Sequence, residues 1–369
     1  MFLRLPRPQR ETPAPSRRFA LVQVLRAVAA VFVVFHHAQF DALHFAGPGG
    51  FAPDRSLPWE AGVDIFFVIS GFIIVHSSRR LFAAPGAART FLTRRLIRVV
   101  PLYWLATAAF LAIGLLLPRA LNSPAPDAAE IAASFLFWPY LNGLGVAQPV
   151  FSLGWTLNYE MAFYLVFALA IALPGRSASV AMTLFFAVLA GLGQLVALPM
   201  PLAFWAEPLV LEFVFGLWIA WIAVAAREAG WRPGVVLRVL LAAMAIRMLH
   251  DDLTADGIDR AVAWGVPAAM LVAAAVLGSE ARGPSPLLRP FVVLGDASYA
   301  LYLFHPFALR AVRLLLADAN IDPRTYVVIA LSVAVILALA VHLVIERPVT
   351  RWLRRRLSNT AGAESERGQ

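Results

Sequence analysis

Ten stretches of this chain are long and apolar enough to read as crossings of a hydrocarbon core about 30 Å thick. They fall near residues 20–40, 62–77, 99–117, 151–173, 178–198, 207–226, 235–249, 261–279, 291–315 and 326–346. Hydrocarbon offers no partner to a backbone N–H or C=O, so segments of this kind are admitted as helices, each of which pairs its own backbone. With 60% of its 369 residues hydrophobic and 14% charged, a soluble domain would have nowhere to hide the apolar surface. The expected fold is an all-α integral membrane protein of about ten transmembrane helices. One further apolar piece, residues 131–141, is too short to cross and carries Pro139; it is expected at the interface or as a dip that returns.

Charge sets the orientation. All 31 basic residues are arginine. With a cytoplasmic N-terminus, 22 of them fall on the inner side, against Arg55, Arg119, Arg260 and Arg324 outside. The outer loops are acidic instead, with Asp41, Asp54, Glu60, Asp251 and Asp322 among them. The positive-inside rule then puts both termini in the cytoplasm of a bacterial inner (cytoplasmic) membrane protein. A net charge of +9 laid along one membrane face is a topology signal, and no nucleic-acid partner is expected. The absence of cysteine excludes disulfides, thiolate metal sites and thiol nucleophiles, and no metal site is expected. The basic stretch before the first span resembles a signal peptide, but no small-residue cleavage site follows, so it is read as a retained anchor. Residues 1–19 are expected to be a disordered basic segment, 20–356 one transmembrane domain, and 357–369 a disordered tail.

Arg26 and His37 lie eleven residues apart in the first span. Eleven residues make about three helical turns and rise about 16 Å, so both side chains leave one face of one helix. Ionisable groups at membrane depth are costly and mark functional paths. A neutral imidazole near the outer leaflet suits a general base acting on an alcohol. His36 points about 80° away from Arg26, since successive residues turn by about 100°, which assigns the chemistry to His37 and a supporting role to His36. Asp64 is read either as a residue that orients a histidine or an acceptor hydroxyl, or as a helix cap. Ser70 and Gly71 offer a close approach for a ligand or a neighbouring helix.

Arg94, Arg95 and Arg98 cluster at the inner face. They serve either as topology anchors or as a polyanion site, because guanidinium forks grip phosphates bidentately. Coenzyme A carries phosphates at one end and a thioester at the end of a long arm, so phosphates at these arginines put the thioester near His37. Tyr103 and Trp104 are expected to line the channel just above. Glu160, with Asn158, is placed at the outer end of a span and is expected to pair with His37 or Arg26 or to cap its own helix. Trp155 and Asn158 are candidates for holding the acceptor. Ser298, Tyr302 and His305 form a polar stripe that suggests a lined cavity, and Pro306 is expected to kink that helix. Glu212 is read as a buried carboxylate paired with an intramembrane arginine.

The segments QVLRAVAAVFVVFHHA, GVDIFFVISGF, RRLIRVVPLYW, GWTLNYEMAFY, LEFVFG and LGDASYALYLFHP occur in this order. Together they resemble the membrane-bound acyltransferase 3 family, over about residues 20–356, and within it the ExoZ-like exopolysaccharide O-acetyltransferases. The family's arginine–ten residues–histidine pattern falls on Arg26 and His37. The resemblance implies a catalytic His37, an Arg26 that supports the donor, a phenylalanine-rich Ser-Gly motif at Phe66, Phe67, Ser70 and Gly71, and donor-side arginines at Arg94, Arg95 and Arg98. It further implies cytoplasmic acetyl-CoA as acyl donor and a glycan or lipid-linked oligosaccharide as acceptor. A small glycosylated acceptor of the macrolide kind, another acyl group, and an acyl-histidine intermediate stay open. A polytopic transporter or flippase is the rival from composition alone.

Overall fold

The computed structural model describes residues 20–46, 50–116, 126–251, 256–278 and 285–367. Residues 1–19, expected to be disordered, lie outside the described residues. The described chain is helical. In order, α1 (Ala20–Ala42), α2 (Gly62–Ser78) and α3 (Ala87–Leu116) are followed by the short α4 (Ala128–Phe135). Next come α5 (Trp155–Ala170), α6 (Gly175–Leu195), α7 (Leu202–Trp205), α8 (Leu211–Glu228), α9 (Val235–Asp251) and α10 (Gly257–Arg260). The last are α11 (Val266–Val276), α12 (Arg289–Asp296), α13 (Ser298–Leu315), α14 (Pro323–Val341) and α15 (Arg347–Arg367). No strand occurs among the described residues; one isolated bridge joins Leu141 and Ala147.

Seven helices are long and apolar enough to cross a membrane, and an eighth joins them if the bent pair Pro286–Asp296 and Ser298–Leu315 is one span. Three of the expected ten stretches differ from these in length or continuity. α5 and α9 have only 16 and 17 residues, about 24–26 Å at 1.5 Å per residue. The ninth stretch is broken by 67°. That break falls between Asp296 and Ser298, whereas α13 runs on through Pro306, so the bend expected at the proline sits elsewhere. α3 begins twelve residues before the expected span, which places Arg94, Arg95 and Arg98 on the helix itself. α15 continues beyond Arg356, where a disordered tail was expected; alanine, glutamate and arginine there are good helix formers.

α1 is central, packing against α2, α12, α13 and α14, and the tightest pairing of elements is α2 with α8. A methyl group added at Gly71 would run into the Phe213 carbonyl, and one at Gly216 into the Val68 carbonyl. The two backbones touch because neither position has a side chain, which is the use of small residues between helices in lipid. Gly71 therefore serves helix packing, the second of its two readings. Beside it Phe67 stacks on Phe213 at 4.5 Å, and Phe213 on Phe163 at 4.7 Å. Such van der Waals packing holds helices together where no hydrophobic force separates them from lipid.

The segment 131–141 forms α4 and a turn docked on α3. Asp127 caps α4 by accepting from the Glu130 amide at 2.7 Å. The Tyr103 hydroxyl donates to the Ser134 carbonyl at 3.2 Å, and Trp104 Nε1 to the Phe135 carbonyl at 2.9 Å. Tyr103 also packs on Phe137 at 4.8 Å. Both aromatics expected to line the channel are thus turned away from it and tie down α4.

Candidate active site

The helix bundle holds a partly open cavity between α1, α2, α3, α5 and α13. Each helix contributes polar groups: Arg26 from α1, Ser70 from α2, Arg95 and Arg98 from α3, Thr156, Glu160 and Tyr164 from α5, and Ser298, Tyr299 and Tyr302 from α13. Phe66, Phe67 and Ile69 supply apolar wall. Of the catalytic and donor-side candidates, Arg26, Ser70, Arg95, Arg98 and Glu160 meet here, whereas His37, Asp64 and Tyr103 do not line the cavity. Nor does Arg94. It is exposed and turned off the cavity, and the pair that lines it is Arg95 with Arg98.

Arg26 Nη2 donates to Ser298 Oγ at 2.9 Å, joining α1 to α13. Arg98 and the carboxylates of Glu346, Asp296 and Glu160 are the charges that act on Arg26. Glu160 lies inside the bundle, because its helix starts at Trp155 and Glu160 is more than a turn along it. Its Oε1 accepts from Ser70 Oγ at 2.7 Å and from the Tyr164 hydroxyl. No hydrogen bond to His37 or Arg26 is formed, which corrects both expected pairings. Tyr299 donates to the Val99 carbonyl at 2.8 Å. The Tyr302 hydroxyl donates to the Leu153 carbonyl at 3.1 Å and lies 3.0 Å from Thr156 Oγ1, so it fixes the upper end of the cavity.

Beyond Tyr302 come the two histidines. His37 and His305 approach with ring centroids 5.0 Å apart, and Tyr302 lies 6.4 Å from His305. His37 Nδ1 lies 2.8 Å from the Val33 carbonyl. A carbonyl only accepts, so Nδ1 carries the proton and Nε2 presents its lone pair. His36 meets the His37 ring edge-on at 5.3 Å and turns its own polar edge elsewhere: its Nδ1 lies 2.9 Å from Glu60 Oε2, and its ring is 4.8 Å from the half-exposed Phe40. The turn of about 100° between adjacent residues gives the two histidines different partners.

Asp64 belongs to neither group. It is fully buried and takes Arg260 bidentately, Nε to Oδ1 at 3.1 Å and Nη2 to Oδ2 at 2.9 Å. Glu212, also fully buried, stands beside this pair, and Arg260 lies 4.8 Å over Trp264. Asp64 is therefore an ion-pair residue joining α2 to α10, and no histidine contacts it. Arg260, read from sequence as an outer-loop arginine, is the partner that sequence reasoning missed; a basic residue just before an apolar stretch was the available signal. A second pair, Asp41 with Arg313 at 2.8 Å, joined by the Tyr326 hydroxyl, locks α1, α13 and α14 together above the histidines. Trp155 packs edge-on against Phe67 and Tyr159, and Asn158 is buried; neither lines the cavity. No group of three or more His, Asp or Glu suited to a metal ion occurs among the described residues.

The family description "Acyltransferase domain" matches residues 20–343. The chain is 33% identical over 348 residues to the exopolysaccharide production protein ExoZ of Rhizobium meliloti, covering 90% of this chain and all of that protein. It is 28% identical to acyltransferase MdmB of Streptomyces mycarofaciens, over 80% of this chain and 81% of that one. A third relative, protein 2 in the picA locus of Rhizobium radiobacter, is 32% identical over 42% of this chain and 83% of its own length. No solved structure matches the chain at a significant level. A family match over nearly the whole helical domain, with a 33% identical relative over 90% of the chain, makes the chain a member of the acyltransferase 3 family, a multi-pass membrane acyltransferase.

Proposed function

We propose that the protein is an O-acetyltransferase of the bacterial inner membrane. It moves an acetyl group from cytoplasmic acetyl-CoA to a sugar hydroxyl of an exopolysaccharide or related cell-surface glycan. The observation that carries this reading is the cavity that begins at Arg95 and Arg98, passes Arg26 and Ser298, and ends at Tyr302 below His37. Arginine forks suit the phosphates of the donor, the apolar and hydroxyl-bearing walls suit its arm, and His37 meets the thioester from the outer side. The 22-to-4 arginine distribution favours cytoplasmic termini and ten crossings, with α5 and α9 as the short ones. The glycan acceptor draws support from the relative whose name refers to exopolysaccharide production.

In this mechanism His37 Nε2 removes the hydroxyl proton as the oxygen attacks the thioester carbonyl. The tetrahedral intermediate collapses, the carbon–sulfur bond breaks, and the proton passes to sulfur, leaving the ester and the free thiol. The test is transfer of labelled acetyl from acetyl-CoA to glycan by the purified protein in liposomes. His37→Ala should lose transfer by roughly 10²–10⁴-fold, the usual contribution of a general base, with unchanged membrane insertion. His36→Ala should keep most of it. Retained transfer in His37→Ala removes the assignment.

A further inference from the structure

α14 runs on through a π-turn at His342–Glu346 into α15, and His342 Nδ1 lies 2.7 Å from Glu346 Oε2 across that turn. Turns of this kind are rare and are frequent at functional sites. The turn and α15 both pack on α3, the helix that carries Arg94, Arg95 and Arg98. The contact brings a fourth cation to the group. Arg354 of α15 is exposed, and the charges that act on it are those of Arg98 and Arg94, with no carboxylate among them. Arg354 acts in turn on Arg95. Arg26 is different, because Glu346, Asp296 and Glu160 all act on it. Neither Arg98 nor Arg354 makes a hydrogen bond or an ion pair among the described residues. A topology signal needs cations on one membrane face; it does not need them gathered from two helices far apart in sequence. Like charges brought together without a counter-ion repel. A phosphate bound among them removes the repulsion and offers the guanidinium forks a bidentate partner.

We propose that Arg354 binds the 3′-phosphate of the donor's adenosine and makes the protein select coenzyme A over its 3′-dephosphorylated form. The inference rests on acetyl-CoA being the donor. Coenzyme A carries phosphate in two places. A diphosphate joins the pantetheine arm to the ribose, and a single phosphate sits on the ribose itself, one sugar further from the thioester. With the arm in the cavity and the diphosphate at Arg95 and Arg98, which line it, the single phosphate is the one left outside. Arg354 is outside the lining too, yet near enough to Arg98 for the two charges to act on each other. A phosphate monoester is nearly doubly charged at neutral pH, which suits a guanidinium fork that has no other partner. Arg354 touches no reacting atom in this arrangement. A contact held equally in the ground state and the transition state sets affinity and leaves turnover alone.

Titration calorimetry on the detergent-solubilised full chain measures coenzyme A and 3′-dephospho-coenzyme A against wild type, Arg354→Gln and Arg94→Gln. Wild type should bind coenzyme A about ten- to hundredfold more tightly than the dephospho form, the weight of one charge-assisted contact. Arg354→Gln should bind the two ligands alike, with the dephospho form within about twofold of its wild-type affinity. Arg94→Gln removes another charge that acts on Arg354 and should keep the wild-type ratio, which separates a contact from a general field. A wild type that does not distinguish the ligands overturns the proposal. So does an Arg354→Gln protein that keeps the ratio or weakens both ligands equally, and so does loss of the ratio in both variants. Should Arg354→Gln fail to insert, Arg354→Lys takes its place; it keeps the charge without the fork and should narrow the ratio, and an unchanged ratio overturns the proposal. A wild type that binds neither ligand removes the donor reading itself, whereas tight coenzyme A binding with an unchanged ratio in Arg354→Gln removes only the present inference.

Discussion

Arg26 reaches across to Ser298 at 2.9 Å, so one wall of the cavity is closed by a hydrogen bond between the first helix and the thirteenth. The two helices run alongside one another, because the same pair meets again at His37 and His305. An arginine at this depth needs an acceptor to hold its fork in place, and Ser298 is that acceptor.

Ser298→Ala should leave Arg26 free to rotate among the surrounding charges. Loss of one hydrogen bond to a charged group costs about 1.5–3 kcal/mol, or about ten- to hundredfold in kcat/KM for acetyl-CoA. Ser298→Thr keeps the hydroxyl and should stay closer to wild type. Steady-state kinetics on the three proteins check this, and an alanine variant with unchanged kcat/KM would show that the bond does not position Arg26.

Glu160 calls for a different comparison. Its Oε1 satisfies both Ser70 and Tyr164, so the carboxylate has a structural role that an amide oxygen can fill. Glu160→Gln should unfold within a few degrees of wild type in detergent. Glu160→Leu strands two enclosed hydroxyls, at about 1–3 kcal/mol for each unsatisfied group, and should unfold well below it. The glutamine variant also removes a negative charge from the space shared with Arg26, Arg95 and Arg98, so it should bind free coenzyme A at least as tightly as wild type. Equal destabilisation by glutamine and leucine would rule out this account.

Much of this site was legible in the sequence, and the parts that were not share a cause. Arg26 and His37 lie on one helix, and helical periodicity alone sets their common face. Ser298, Tyr302 and His305 follow from the same rule applied to α13. Glu160 was read at the outer end of its span, whereas its carboxylate turns into the bundle toward Ser70 and Tyr164, and which way a side chain turns is decided by packing. Asp64 was misread because its partner Arg260 is 196 residues away, and a long-range ion pair leaves no local pattern. Tyr103 was assigned to the channel by proximity in sequence to the arginines; which face of α3 meets α4 and which meets the cavity is decided by packing. The stretches read as spans at α5 and α9 form helices of only 16 and 17 residues, because hydropathy reads composition and not where a helix begins.

The pairing of Asp64 with Arg260 yields a prediction that separates a structural role from a catalytic one. Removing one member of a buried ion pair leaves the other charge uncompensated, at about 3–5 kcal/mol. Asp64→Ala and Arg260→Ala should therefore both lower the unfolding temperature strongly, and by similar amounts. Asp64→Asn with Arg260→Gln in one protein should recover part of the loss, because no lone charge remains. If Asp64→Ala instead unfolds like wild type and loses only turnover, the carboxylate acts on substrate.

The inner arginines give the test of the donor site, sharpened by the structure. An arginine that anchors topology tolerates lysine, since both are cationic and both reach the interface. An arginine that grips phosphate through its planar fork does not. Arg95 and Arg98 line the cavity, whereas Arg94 on the same turn is exposed and faces away from it. Helical geometry explains the choice: Arg95 and Arg98 are three residues apart and lie within about 60° of each other, on the side of α3 that looks toward Glu160 and Tyr299. Arg95→Lys and Arg98→Lys should insert normally and bind acetyl-CoA about ten- to hundredfold more weakly, the effect of losing one charge-assisted contact. Arg94→Lys should bind like wild type, although it carries the same substitution one position away. Titration calorimetry on detergent-solubilised protein supplies the three constants. Wild-type affinity in the Arg95 and Arg98 variants would make the cluster a topology anchor and send the phosphates elsewhere.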